Sequence, residues 1–407
     1  MAVRYALIVS ALLTLEQAQA LVLAHAQALA AEPVPLEDAA GRVTAEDVRA
    51  LVDLPPFARS AMDGFAVRAA DLPGTLPVVA QIAAGRPAER ALAPGEAMAI
   101  STGGVVPAGA DSVIPIEYVV QHDNSVDVLE TVPLGAHVRP RGGDVATGDI
   151  VVSAGVRLGP AQLGALAAVG VAHVVCARRP RVAILATGSE LARRGAPLEL
   201  GQVYESNGLM LTAALTAVGA DITALPVVAD DESAHRAALE RGLAADVLVT
   251  SGGVSVGPHD LVRAIEAELG VEEVFWRVAI KPGKPVSFGV RGETLVFGLP
   301  GNPVSSLVGC ELLVKPALRA LQGQRDPLPR LESGVLASPL RRDDGRDEFV
   351  RARSRLDRDG VVLEPLSGQE SHMIVRAAAA DAFVHVPRGD GELAAGSRVT
   401  WIRLGGD

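Results

Sequence analysis

Residues 246–257 read DVLVTSGGVSVG, an apolar run that passes straight into a loop of glycines and small hydroxyl side chains. Four to eight apolar residues bounded by turn signals form a strand buried on both faces. The same pattern recurs on either side. RVAILAT (181–187), ITALPVV (222–228), VFWRVAI (274–280), PVSFGV (285–290) and TLVFGLP (294–300) read as strands. Between them, SNGLMLTAALTAVG (206–219), DDESAHRAALERGLA (230–244) and PHDLVRAIEAELG (258–270) carry helical spacing. Apolar strands alternating with amphipathic helices predict a parallel sheet covered on both faces, and such sheets bind ligands beyond the carboxyl ends of their strands.

The chain is longer than this unit. Its 407 residues exceed one ordinary core, and at about 150 residues per domain two to four domains are expected. From Asp53 to about Gly148 short strands alternate with Pro- and Gly-bearing links, predicting a small β-rich domain. GPAQLGALAAVG (159–170) reads as a helix, and residues 36–50, LEDAAGRVTAEDVRA, as a second helical segment after a short extended piece. Beyond Pro329 short strands return, predicting a terminal β-barrel or sandwich. The fold class is therefore multi-domain α/β.

Composition narrows the function. Forty-eight acidic against 37 basic residues leave a net charge of −11, which repels nucleic acid and anionic membranes at long range. An anionic ligand must therefore be caught by a local basic or backbone site. Cys176 and Cys310 match no C-x-x-C pattern and read as buried thiols of a reducing compartment. The N-terminus imitates a signal peptide, but Thr14-Leu15-Glu16-Gln17 is a capping box opening a helix through which cleavage would cut. The first dozen residues read as an extension or an imprecise start, and the protein as cytoplasmic. No apolar run reaches the roughly 18 residues of a membrane span.

Several loops carry chemistry. Thr187-Gly188-Ser189-Glu190 and Ser251 to Gly257 leave strand ends and can present backbone N–H groups to an anion, although a tight strand-to-helix turn accounts for the glycines equally well. Neither G-x-G-x-x-G nor a Walker loop is present. IKPGKP (280–285) sets Lys281 and Lys284 on a stiff turn suited to an oxyanion. In GLPGNPVSS (298–306), Pro300 and Pro303 hold Asn302 before a helix that begins near Ser305. Asp63, Asp144, Glu190, Asp230 and Asp260 all fall on loops. Each alone suits a cap or turn, Asp63-Gly64 as a tight turn; together they could hold a divalent cation beside a phosphate.

In order, SAMDGFAV, RGGDVATGD, LATGSEL, GQVYESNGLML, VLVTSGGVSVGPHD, IKPGKPVSFG and GLPGNPVSS resemble the molybdopterin molybdenumtransferase family, molybdenum insertases related to the gephyrin E domain. The resemblance runs from about Thr14 to the C-terminus. It implies a discontinuous helical linking domain (14–53 plus 146–178), a β-rich domain (54–145), an α/β molybdopterin-binding domain (179–326) and a C-terminal β domain (327–407). It also implies a reaction: molybdate enters adenylylated molybdopterin, Mg2+ assists cleavage of the phosphoanhydride, and AMP leaves with the finished molybdenum cofactor.

Carried over by residue, the resemblance makes Asp63, Asp144, Lys281 and Lys284 catalytic. Thr102, Glu190, Asp230, Ser251, Gly252, Gly253, Ser255, Gly257, Pro300, Asn302 and Pro303 become substrate contacts, and Asp260 or Glu190 the metal ligand. In the family's homodimer the Asp63 turn borders a cleft formed with the partner chain. Gly345 to Phe349 resembles the family's arginine-bearing strand, making Arg346 a molybdate contact. Residues 374–380 lack a serine that relatives carry: either Ser371 substitutes for it or a contact is missing. Implied partners are the pterin adenylyltransferase and apo-molybdoenzymes, with no nucleic acid and no membrane. A generic nucleotide-binding α/β protein would explain the strand-loop-helix pattern but leave SAMDG and KPGKP unexplained. A pterin adenylyltransferase would not need the SAMDG and terminal domains, and a non-catalytic scaffold could have lost the acids or lysines, all of which are present.

Overall fold

The computed structural model describes residues 12–228, 231–253 and 261–405. The first helix, α1 (Leu15–His25), opens on the expected capping box: Thr14 Oγ1 accepts from the Gln17 amide at 3.2 Å, and Gln17 Oε1 accepts from the Thr14 amide at 3.0 Å. Its buried face, Leu15, Ala18 and Val22, shares a core with Val182, Leu211 and Leu318 of the central sheet unit. This helix thus packs on the sheet unit, far along the chain from it.

Two antiparallel ribbons follow, Ala31–Pro35 with His173–Ala177 and Val48–Arg49 with Ile150–Val152. With α2 (Pro160–Ala168) they enclose a core of Val34, Leu158, Leu166, Val169 and Cys176. The helical segment expected over 36–50 is absent; a single 3-10 turn, Leu36–Asp38, takes its place. Gly41 turns the chain at φ 72° and Val43 and Thr44 then bridge to Arg157 and Cys176. Strand partners supplied by the rest of the fold override a weak local helical preference.

The β-rich unit is a six-stranded sheet of β1 (Gly64–Val67), β2 (Gly74–Ile82), β3 (Ala97–Ile100), β4 (Ser112–Pro115), β5 (Val119–Gln121) and β6 (Ser125–Val128), in the order β4-β1-β3-β2-β6-β5. Side chains alternate into two small cores, Phe65 and Val67 on one face, Ala66 with Met98 on the other. Gly64 is not the left-handed turn residue its dipeptide suggests. It is the first residue of β1, and a Cβ there would lie 1.9 Å from the Ile114 carbonyl oxygen of β4.

The central unit comprises β7 (Arg181–Ala186), α3 (Asn207–Ala217), β8 (Asp221–Ala224), α4 (Glu232–Gly242), β9 (Val247–Ser251), α5 (Leu261–Glu268), β10 (Glu272–Trp276), β11 (Ser287–Arg291), β12 (Thr294–Leu299) and α6 (Pro303–Gly309), which continues through a π turn into α7 (Lys315–Leu321). Strand order is β8-β7-β9-β12-β11-β10. The first four are parallel, as expected, but β11 runs antiparallel to both neighbours. Only Gly292 and Glu293 join β11 to β12, too few for a parallel crossover. The expected strand VFWRVAI also divides. After Arg277, at φ 78°, the chain leaves the sheet and Ile280–Lys281 pairs with Asp347–Glu348 of the next unit. Helix α3, with α1 and α7, covers one face, and α4 and α5 cover the other.

The last unit settles the choice between sandwich and barrel. Strands β13 (Glu332–Leu336), β14 (Asp347–Asp357), β15 (Gly360–Pro365), β16 (Ala382–Val386) and β17 (Arg398–Arg403) follow the order β14-β15-β13-β17-β16, and β16 pairs back with β14. A short helix, α8 (Ile374–Ala377), lies between β15 and β16. Closure leaves no open edge among these five, and Leu336, Val350, Leu363, Val384 and Trp401 fill the interior.

Candidate active site

Parallel register brings three strand ends together. Ala186 of β7 lies beside Ser251 of β9, which lies beside Leu299 of β12. The loops that leave them line a cavity of about 1000 Å³, the position that a parallel sheet's topology favours. Gly252 and Gly253 have φ of 95° and 69°. Side chains would collide there: a Cβ on Gly252 would sit 2.6 Å from the Thr187 carbonyl oxygen, and one on Gly253 2.4 Å from Val262 Cγ2. Glycine is thus required both by conformation and by close approach.

Beneath these loops lies a network that inspection of the sequence missed. Asn207, buried at the start of α3, donates from Nδ2 to Ser251 Oγ at 2.9 Å and to the Gly301 carbonyl at 2.7 Å. Ser306 in turn donates to the Pro300 carbonyl at 2.5 Å and lies 3.4 Å from Ser251 Oγ. Since the only Ser306 hydroxyl proton goes to Pro300, Ser251 must be the donor between the two serines. Asn207 Oδ1 is buried with no partner among the described residues. Nothing in the quoted segment GQVYESNGLML singles out its asparagine, because all its partners lie 44 or more residues away.

Glu190, Ser251, Gly252, Gly253, Lys284, Pro300, Asn302 and Pro303 all line the cavity. Ser371 stands at its border, its hydroxyl accepting from Asn302 Nδ2 at 3.0 Å while its carbonyl accepts from the Val304 amide. The neighbouring His372 and Ile374 are lining residues. Lys281 and Arg346 are not. Lys281 pairs with Glu348 at 3.4 Å, and Arg346 with Asp343 at 2.9 Å. Burial alone would raise the Asp343 carboxyl; Arg346, the Gly345 amide and the field of Lys281 outweigh it and hold the group low. The two lysines of KPGKP, similar in sequence, are thus differently placed.

Asp63, Thr102 and Asp144 belong to the β-rich side of the molecule and are all exposed. Asp63 Oδ1 accepts from the Thr102 amide at 2.8 Å, so these two form one local unit. Asp144 sits on the loop from Arg141 to Thr147, which Asp53 organises: its carboxylate accepts from Arg141 Nε and from both the amide and hydroxyl of Thr147. None of the three lines the cavity of its own chain. Asp230, Ser255, Gly257 and Asp260 lie outside the described residues. The helix after Asp230 is capped by Asp231, whose Oδ1 accepts from the Ala234 amide at 2.7 Å.

Three family models match consecutive parts of the chain: MoeA N-terminal region (domain I and II) over 13–170, probable molybdopterin binding domain over 183–320, and MoeA C-terminal region (domain IV) over 333–404. Molybdopterin molybdenumtransferase 2 of Mycobacterium tuberculosis is 39% identical over 90% of this chain and 93% of its own. The chain belongs to the molybdopterin molybdenumtransferase family. A Haemophilus influenzae molybdopterin molybdenumtransferase is 35% identical over 96% of this chain and 98% of its own. Among solved structures, the molybdopterin biosynthesis MoeA protein of Pyrococcus horikoshii superposes with a TM-score of 0.84 at 29% identity, covering 97% of this chain and all of that one. The family resemblance of the seven quoted segments and the multi-domain fold it implies are thereby borne out.

Proposed function

We propose that the protein is a molybdopterin molybdenumtransferase that inserts molybdate into adenylylated molybdopterin and releases AMP and molybdenum cofactor. The observation that carries the reading is the cavity at the strand ends, where the Gly252–Gly253 pair and Lys284, a lysine with no carboxylate partner among the described residues, meet in a chain that is otherwise acidic. The Gly252 amide donates to the Leu299 carbonyl at 3.0 Å, so it is the Gly253 amide that would meet the phosphate link. Lys284 would offset the charge of that link or of molybdate.

Magnesium suits the donors present. It binds through one or two carboxylates and substrate phosphates while keeping several waters. Glu190, a cavity-lining carboxylate, would hold it, with Asp260 as the other candidate. When bound, the ion neutralises phosphate charge and polarises phosphorus. We further propose a cytoplasmic homodimer in which Asp63, Thr102 and Asp144 of one protomer complete the cavity of its partner. Lys281 and Arg346 would reach molybdate only by exchanging Glu348 and Asp343 for it, while Ser371 would meet it from the cavity border.

The test is AMP release from adenylylated molybdopterin by the purified protein, with and without molybdate and magnesium. Release dependent on both is expected. Tight binding of the pterin without turnover would replace the enzyme by a carrier, and no binding would remove the reading.

A further inference from the structure

Helix α4 buries His235, Ala238, Leu239 and Gly242 on one face, the i, i+3, i+4, i+7 stripe of a helix that packs on a sheet. Ala238 and Leu239 share a core with Ala183 and Leu185 of β7 and with Leu225. His235 opens the stripe and is 2% exposed, at a place where the pattern calls for a hydrocarbon. An imidazole buried there loses the hydration of both ring nitrogens, and only hydrogen bonds offset that loss.

One nitrogen has its bond. Nδ1 lies 2.9 Å from the Asp231 carbonyl oxygen, one turn back along the same helix. A carbonyl only accepts, so Nδ1 carries the proton, and in the uncharged ring Nε2 is left as an acceptor. Nε2 has no hydrogen-bond partner among the described residues, and His235 forms part of the cavity wall. The cavity therefore differs from end to end. Helix α4 packs over β7, whereas the Lys284 loop leads into β11. In the order β7-β9-β12-β11 these places are three strand spacings apart, on the order of 14 Å. An ammonium group at one end and an imidazole acceptor at the other suit a ligand that joins an anionic group to a heterocycle bearing N–H donors.

We infer that His235 Nε2 accepts a hydrogen bond from the N–H edge of a heteroaromatic amine at the β7 end of the cavity and so selects the heterocycle admitted there. The N–H belongs either to the adenine amine of a nucleotide or to the amino edge of a pterin. The inference rests on the function proposed above and adds a specificity contact to it.

Calorimetric titration of the full-length protein and its His235→Leu variant with AMP, purine riboside monophosphate and pterin carboxylate tests this. Leucine supplies the hydrocarbon that the stripe calls for and removes the acceptor, and purine riboside monophosphate is AMP without its amine. Loss of one hydrogen bond should weaken AMP or the pterin by on the order of tenfold and leave purine riboside monophosphate unchanged. A loss confined to AMP assigns the contact to adenine, a loss confined to the pterin assigns it to the pterin, and loss of both shows one acceptor serving either amine. Unchanged affinity for AMP and the pterin, equal loss of AMP and purine riboside monophosphate, or a wild-type protein that binds neither AMP nor the pterin overturns the inference. Should the leucine variant not fold, diethyl pyrocarbonate decides on the wild-type protein, because it acylates the imidazole nitrogen that lacks a proton. AMP or pterin carboxylate should slow that reaction at His235, read by peptide mass; no modification there, or modification that neither ligand slows, overturns the contact. Ligands bound through His235 without AMP release from adenylylated pterin would remove the proposed reaction and leave the contact standing. AMP release by the wild-type protein together with unchanged affinities in the variant would do the reverse.

Discussion

Asn207 holds the strand-end loops at a single point, and its removal has a definite cost. Asn207→Ala strips a donor from Ser251 Oγ and from the Gly301 carbonyl, which should lower stability by about 1–2 kcal/mol. Chemical denaturation checks this, and an unchanged midpoint would mean that the loops hold themselves. Asp53 supplies the corresponding test by pH. Its hydrogen bonds, first from the Thr147 amide and hydroxyl and then from Arg141, lower its carboxyl to about 2. A carboxyl depressed in the fold contributes order above its unfolded value of about 4 and loses it as pH falls through the folded value. Amide exchange at Thr147, corrected for intrinsic rate, should therefore be protected at pH 5 and unprotected near pH 2. Equal protection at both would show that the loop does not depend on the carboxylate.

Among elements, the segment between β15 and β16 depends most on one distant side chain. Arg351, 1% exposed within the barrel, donates to the carbonyls of Gly368, Glu370 and Met373 and to Gln369 Oε1. That segment carries Ser371 and His372 to the cavity border, so a buried barrel arginine orders part of the site wall. Arg351→Met should cost about 3 kcal/mol or more, because the carbonyls lose their donors, and hydrogen exchange should rise over residues 366–373 before it rises elsewhere. Uniform loss of protection across the barrel would refute a local role. The sequence marks this stretch only by what it lacks, since Arg351 sits in a strand whose alternation says nothing of the loop it serves.

At the scale of the whole molecule, the three exposed residues of the β-rich side require a second protomer if they act at the cavity. Asp63→Ala and Lys284→Ala should each abolish most activity as pure proteins. Co-expressed, they should recover activity, because each mixed dimer contains one site with Asp63 from one protomer and Lys284 from the other. Failure to recover activity in isolated mixed dimers would place both residues in a site made by one chain.

The alternation of strand and helix over 181–300, the capping box of α1 and the glycines of the cavity loop were legible in the amino-acid order, because each is set by neighbours within a few residues. The antiparallel turn of β11 could be suspected only from a two-residue link. The closure of β16 onto β14, the reach of Asn207 across two loops, the contact that demands Gly64 and the left-handed Arg277 were decided by the tertiary structure. Each depends on atoms that approach from distant parts of the chain, and such contacts leave no period or local propensity behind.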